Sequence, residues 1–236
     1  MKRKASGQLR RGNTKKRRMY KRSNTRRNFT NPNLQNLTSN VTLSRNRVTP
    51  FTKKVTLKYG ALKTQSNQLS STVRFNCNGL YDPDSTGVGH QPMGFDQYMA
   101  FYSKYVVHGC KIEVSANSMI PTQRAFYSLR AVPSGAGFLT NIESIIEAPN
   151  SVYGYIGPSE GPSGRLKLSS YMNISKYFSE PLIESKYEGT ASQNPLQLAL
   201  WDLTAVDING TGVEINALIE ITYYCTLKEP IDLIAS

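Results

Sequence analysis

The chain has 236 residues, 39% of them hydrophobic and 10% aromatic, which is enough for one large core. No uninterrupted apolar run approaches the length of a membrane-crossing helix. The net charge is +13 and sharply segregated: residues 1–27 hold 13 Lys or Arg and no acid, leaving 16 cations against 16 acids in the remainder. The first acid is Asp82, and from there nine cations face 16 acids, so the molecule has one cationic pole and a mildly anionic remainder.

Residues 1–28 are almost wholly Lys, Arg, Asn, Ser, Thr and Gly. Like charges repel there and little apolar surface offsets chain entropy, so a disordered basic arm is predicted. Residues 29–50 stay polar and Asn-rich, a linker; 1–50 is therefore read as arm and linker and 51–236 as the folded domain. The basic N-terminus lacks the apolar stretch of a secretion signal.

From Lys53 on, period-two alternation dominates. Val55, Leu57 and Tyr59 share one phase, then Leu69, Val73, Phe75 and Cys77, then Cys110, Ile112, Val114 and Ala116. Tyr127, Leu129 and Ala131 continue the pattern, with Leu166 and Leu168, and Leu196, Leu198 and Leu200. The longest run places Val213, Ile215, Ala217, Ile219, Ile221, Tyr223, Cys225 and Leu227 in one phase. Two short helices are predicted: Phe95 to Val106 from three-and-four spacing of Phe95, Tyr98, Met99, Tyr102, Tyr105 and Val106, and one after Thr140, which begins a capping box with Glu143. Long Gly/Pro-rich connections separate the strands. The pattern predicts an all-β fold, a single eight-stranded jelly-roll β-sandwich behind a disordered basic arm.

Catalytic chemistry finds little footing, and no enzyme is predicted. His90 sits in a Gly/Pro loop and His108 at a strand entrance, neither with an evident partner, and no phosphate-cradling glycine loop or paired-histidine zinc motif occurs. Asp82, Asp84, Thr86 and Gly87 imitate the start of a calcium loop, but its twelfth position is Met93 rather than Glu, so a turn is the better reading; a weak cation site of Asp82 and Asp84 between subunits stays open. No cofactor and no metal ligands are predicted. Cys77, Cys110 and Cys225 are odd in number and widely spaced, which predicts buried free thiols rather than disulfides.

The arm carries the functional signal. Lys2, Arg3, Lys4, Arg10, Arg11, Lys15, Lys16, Arg17, Arg18, Lys21, Arg22, Arg26 and Arg27 would displace counterions from a nucleic acid, giving salt-sensitive, sequence-indifferent binding. Lys53, Lys54 and Lys58 on the first strand extend that set. Tyr20 and Phe29 are the aromatics near enough to stack on unpaired bases. Lys15, Lys16, Arg17 and Arg18 also suit a nuclear import signal and its receptors.

"GFDQYMAFYSKYVVHGCKIEV", Gly94 to Val114, resembles the helix-then-strand segment of capsid proteins from circular, Rep-encoding single-stranded DNA (circovirus-like) viruses. "VRFNCNGLYDPD" before it, "KLSSYMNISKYF" from Lys167 and "YYCTLKEP" up to Pro230 fit the same pattern, so the resemblance spans most of 53–230. It implies a shell domain at 51–236 that self-assembles into an icosahedral T=1 particle of about sixty copies. It also implies arms that point inward onto a single-stranded genome, DNA more readily than RNA. The expected locations are the virion and, during assembly, the host nucleus, with no membrane insertion; nothing identifies a host-cell receptor. Sixty arms would bring roughly 800 positive charges, about half of what a genome on the order of 1.5–2 kilobases carries.

Coat proteins of satellite and tombusvirus-like RNA viruses share this layout. Two rivals remain: a cellular nucleic-acid-binding β-domain with a basic tail, and an enzyme or lectin on a jelly-roll scaffold. The first calls for a basic stripe or aromatic platform on its folded body, which the net −7 beyond Asp82 argues against.

Overall fold

The structure, a computed structural model, describes residues 49–66, 68–161 and 164–232. The arm cations from Lys2 to Arg27 and the import signal lie outside the described residues. The elements in chain order are β1 (Thr52–Ser66), β2 (Ser70–Asn76), α1 (Phe95–Met99), β3 (Tyr102–Ser118), β4 (Ala125–Pro133), α2 (Ile142–Glu147), β5 (Ser151–Ile156), β6 (Arg165–Asn173), α3 (Ile174–Phe178), β7 (Glu188–Gly189), β8 (Ala199–Asp207) and β9 (Glu214–Pro230). A single 3₁₀ turn, Ser185–Tyr187, precedes β7.

One sheet has the order β1-β9-β3-β6, with β7 also pairing β3; the other has the order β2-β8-β4-β5. All pairings are antiparallel. Leaving aside the two-residue β7, eight strands divided between two antiparallel sheets in these orders are a jelly roll, as the sequence pattern predicts. We call the sheets A and B in that order. Among the described residues no helix is long and apolar enough to cross a membrane.

The core lies between the sheets. Sheet A contributes Leu57 and Tyr59, Ile112, Val114 and Ala116, Leu168 and Met172, and the whole inward phase of β9 from Ile215 to Leu227. Sheet B contributes Phe75, Tyr127, Leu129, Ile156, Trp201, Leu203 and Ala205. All three cysteines are buried and free, and Trp201 donates its indole N–H to Cys110 Sγ at 3.3 Å.

The structure corrects four sequence expectations. The helix predicted from Phe95 to Val106 stops at Met99, and Tyr102 to Val106 open β3. At that end Tyr105, Val106 and Val107 are all buried, so alternation disappears, and β7 pairs along the edge of β3 there, Tyr105 opposite Gly189 and Val106 opposite Glu188. The cap of α2 is Asn141, not Thr140: the Asn141 side chain accepts from Glu143 N at 3.0 Å. A third helix, α3, follows β6 directly, capped by the Asn173 side chain, which accepts from Lys176 N at 3.0 Å. Finally, β8 begins only at Ala199; Leu196 is 89% exposed, and the inward phase is Trp201, Leu203 and Ala205. Tyr153 and Tyr155 lie on the outer side of β5 and remain exposed.

The outer face of sheet B is closed over by the chain between β4 and β5. Phe126, Val206 and Ile145 form a second small core there, joined by Leu139 and Ile142. Beside it Asp202, 1% exposed, accepts from Arg74 Nε at 2.7 Å and from an Arg130 guanidinium nitrogen at 3.0 Å. Arg74 also donates to the Ala136 carbonyl and lies 3.9 Å from the Phe138 ring centroid. One carboxylate thus pairs with two largely buried guanidinium groups. Removing one partner of such a group leaves uncompensated buried charge, so Asp202→Ala is expected to destabilise the fold by about 3–5 kcal/mol in urea denaturation. A loss within about 1 kcal/mol, the range of an exposed ion pair, would show that the cluster is solvated.

Candidate nucleic-acid interface

Directly opposed residues of an antiparallel pair project to the same side, so the registers define the outer face of sheet A row by row. One row reads Lys58, Thr222, Lys111, Tyr171 across β1, β9, β3 and β6. The next reads Thr56, Tyr224, Gly109, Asn173. Lys54 opposes Thr226 beyond it. On the other side lie Glu220 opposite Glu113, then Leu62, Leu218, Ser115 and Lys167, and at the far edge Asn117 and Arg165.

Of the three lysines predicted on the first strand, the structure brings two together. Lys54 and Lys58 share the outer face, while Lys53 opposes Leu227 in the inward phase and sets its ammonium 4.9 Å from the Tyr98 ring centroid. Lys54 and Lys58 have no carboxylate partner among the described residues, and neither do Lys167 and Arg165. Lys111 pairs with Glu113 at 3.0 Å, both well exposed, an arrangement of little energetic weight. Lys104 and Lys228, at the end where the chain enters β1, share Glu188 and are neutralised locally. The entry point itself is fixed by Tyr102, whose hydroxyl donates to the Pro50 carbonyl at 3.0 Å.

Sequence reasoning overlooked the centre of this face. Tyr171 is 58% exposed and Tyr224 40% exposed, and their rings meet edge to face at a centroid distance of 6.2 Å. They sit on β6 and β9 with β3 between them, and Gly109 permits the contact: a Cβ there would fall 2.4 Å from Tyr171 Oη. The Tyr171 ring therefore lies across a bare stretch of β3 backbone. A groove of about 400 Å³ runs beside Tyr224, lined by Lys54, Val55, Thr56, His108 and Cys225. The available signal was phase: Tyr224 and Tyr171 both fall on the polar side of their strands, opposite Tyr223 and Met172.

His108 is the extra residue of a β-bulge between Val107 and Gly109, and its Nε2 lies 2.7 Å from Thr226 Oγ1. Loss of hydration around the ring, and beyond that the ammonium groups of Lys228 and Lys54, lower its pKa from the ordinary 6.5. His90 is held by structure instead, both ring nitrogens within 3.0 Å of the Gln91 and Gly60 carbonyls, stacked on Tyr59.

The Asp82–Gly87 stretch forms the predicted turn, with Gly87 N donating to Asp84 O and φ of 75° at Gly87. Asp84 is buried, pairs with Lys63 and accepts from Thr86 N and Oγ1. Burial pulls its pKa upward, but the Lys63 and Thr86 contacts outweigh it and the net shift is downward. Its carboxylate is thus committed to contacts within the subunit.

No protein-family model matches the chain, and no curated protein does. Among solved structures, the chain is similar to chains of Desmodium yellow mottle tymovirus (TM-score 0.45, 12% identity, covering 80% of this chain and 95% of that one). Others are chains of turnip yellow mosaic virus (0.44, 12%, 79% and 85%) and tobacco necrosis virus (0.44, 10%, 78% and 85%). The jelly-roll assignment stands on the strand order alone.

Replacing Lys54 with Met removes one of the positive charges that oppose His108 protonation, so the His108 pKa is expected to rise toward 6.5. With only two histidines in the chain, the imidazole Cε1–H resonances resolve the titration by NMR. An unchanged or lower value would show that Lys54 does not face the ring.

Proposed function

We propose that the chain is the capsid protein of a small icosahedral virus, with residues 1–50 as the genome-binding arm and 51–236 as the shell domain. The observation that carries this reading is the segregation of cations. Sheet B is closed by its own chain and both its buried arginines are paired with Asp202, whereas on sheet A Lys54 and Lys58 have no carboxylate partner among the described residues, and thirteen further cations precede them in residues 1–27. A body of this kind, repeated around a closed shell, turns one face of every copy and every arm toward a shared polyanion.

Contacts between copies fall to the long connections. Met93 (90% exposed) and Val88 (81%) lie between β2 and α1, and Leu196 (89%) and Ile183 (79%) between α3 and β8. The two connections are tied together, since Asp82 N donates to Asn194 Oδ1 and Asn194 Nδ2 donates to Asp82 O, each at 3.2 Å. This supports one continuous surface with apolar side chains available to a neighbour. The finer reading, about sixty copies around single-stranded DNA with passage through the host nucleus, rests on the resemblance of Gly94–Val114 and on the arm.

A second reading is favoured by one observation. The basic and aromatic patch on sheet A is the feature whose absence weighed against a cellular nucleic-acid-binding protein, because the net acidity beyond Asp82 concealed a local face. Assembly separates the two. Electron microscopy of the purified chain, with its 260/280 nm absorbance ratio, is expected to show uniform shells containing nucleic acid, and sensitivity to DNase or RNase after disruption identifies the genome. A monomer that binds oligonucleotides without closing into shells assigns the chain to the cellular class. Deleting residues 2–27 is expected to leave empty or smaller shells; normal packaging by the truncated chain would overturn the role of the arm.

A further inference from the structure

We infer that Tyr171 and Tyr224, laid over Gly109 and flanked by Lys54, Lys58 and Lys111, form a site for unpaired bases of a single-stranded nucleic acid. The inference rests on the function proposed above for the source of the strand, and on the geometry of the sheet for the site itself. Two large rings left 58% and 40% exposed do no core work. They are not ordinary cross-strand neighbours either, since a whole strand separates them and only the missing Cβ at Gly109 lets them touch. The resulting surface is a pair of exposed rings inclined at 61° on rigid sheet, each offering a face to a base, with cations on the same face to hold a phosphate backbone on either side. Aromatic rings paired with a positively charged surface are the physical requirement for binding single strands without sequence preference.

The charge pattern favours this occupant over a protein segment. Among the described residues Lys54 and Lys58 stand without carboxylate partners, Lys111 is tied to an exposed Glu113, and Thr56, Thr222 and Asn173 around the rings are polar. Glu113 and Glu220 occupy the adjacent row and set a limit on one side, directing a bound strand along the end of the sheet that carries Lys54. A duplex hides its base faces in its own stack, so it gains nothing from the rings.

The test uses the full chain and three fluorescent probes of equal length: a thymidine oligonucleotide, a uridine oligonucleotide and a DNA duplex. Binding is followed by anisotropy from low to high salt, where the contribution of the arm is screened. Replacing both tyrosines by Thr is expected to weaken both single strands about tenfold at high salt, duplex binding and the salt slope staying as they were. Replacing both by Phe keeps the stacking surface and is expected to bind like the parent chain. Gly109→Ala displaces the Tyr171 ring without altering either tyrosine and is expected to shift single-strand affinity in the same direction, which guards against a folding defect in the double variant. Changing Lys15, Lys16, Arg17 and Arg18 to Gln lowers the salt slope for all three probes and reports the arm separately. Equal losses on single strand and duplex, or no loss, would overturn the site. If the chain forms no shells while the single-strand loss is found, the capsid reading falls and the site stands; shells with unaltered single-strand binding give the reverse.

Discussion

β3 and β9, seventeen residues each, pair from Tyr102 opposite Pro230 to Ser118 opposite Ile215, and this pairing supplies most of one wall of the core. Its difficulty is parity. Near the start of β3 the inward residue is Val107, while farther on it is Cys110, Ile112 and Val114. A regular strand cannot satisfy both, because side chains alternate strictly and a change of phase by one residue would turn half of these apolar groups to water. The bulge at His108 absorbs the extra residue and restores the inward phase. With burial of each aliphatic side chain contributing about 1.5–3 kcal/mol, the device protects much of the energy of sheet A.

The same bulge shapes the surface. It delivers His108 and Gly109 successively to the outer side of β3, where a regular strand would deliver one of them. His108 fills one side of the groove beside Tyr224, and Gly109 leaves the bare backbone over which Tyr171 leans. A correction required by the core therefore also creates the flat place on the outer face. The phase change also explains why the sequence around Tyr105 and Val106 imitates a helix: apolar residues in both phases, followed by a shift, mimic three-and-four spacing.

Strands with one wet face were legible from alternation alone, and β9 is the plainest case, since Ile215 to Leu227 gives six correctly phased inward positions beyond its first. Strands covered on both sides were not. β8 is buried from Ala199 to Val206 because α2 and its flanking chain cover its outer side, so Leu196 and Leu198 offered a misleading phase. The short α3 was hidden because a strand runs straight into it, although Asn173 at the junction is the sort of residue that caps a helix. For the candidate site, Lys54 and Lys58 were legible as basic residues on a strand, but their separation from Lys53 depends on phase. Tyr171, Tyr224 and Gly109 come together from three strands far apart in sequence, and no local pattern encodes that meeting.

The two kinds of positive charge in this chain do different physical work. In the function proposed above, cations on the arm would need no geometry: they would neutralise phosphate wherever it lies, and their effect would fade as salt rises. Lys54 and Lys58 are held by the sheet at fixed positions relative to two tyrosine rings, so they favour a strand whose bases reach those rings. Stacking is far less sensitive to salt than charge neutralisation. In the proposed shell, a polymer condensed by arms alone would be free to slide, whereas one also held by bases at repeated sites on the face of sheet A would have a path. On this view the arm governs how much nucleic acid is taken up, and the face of sheet A governs how it lies.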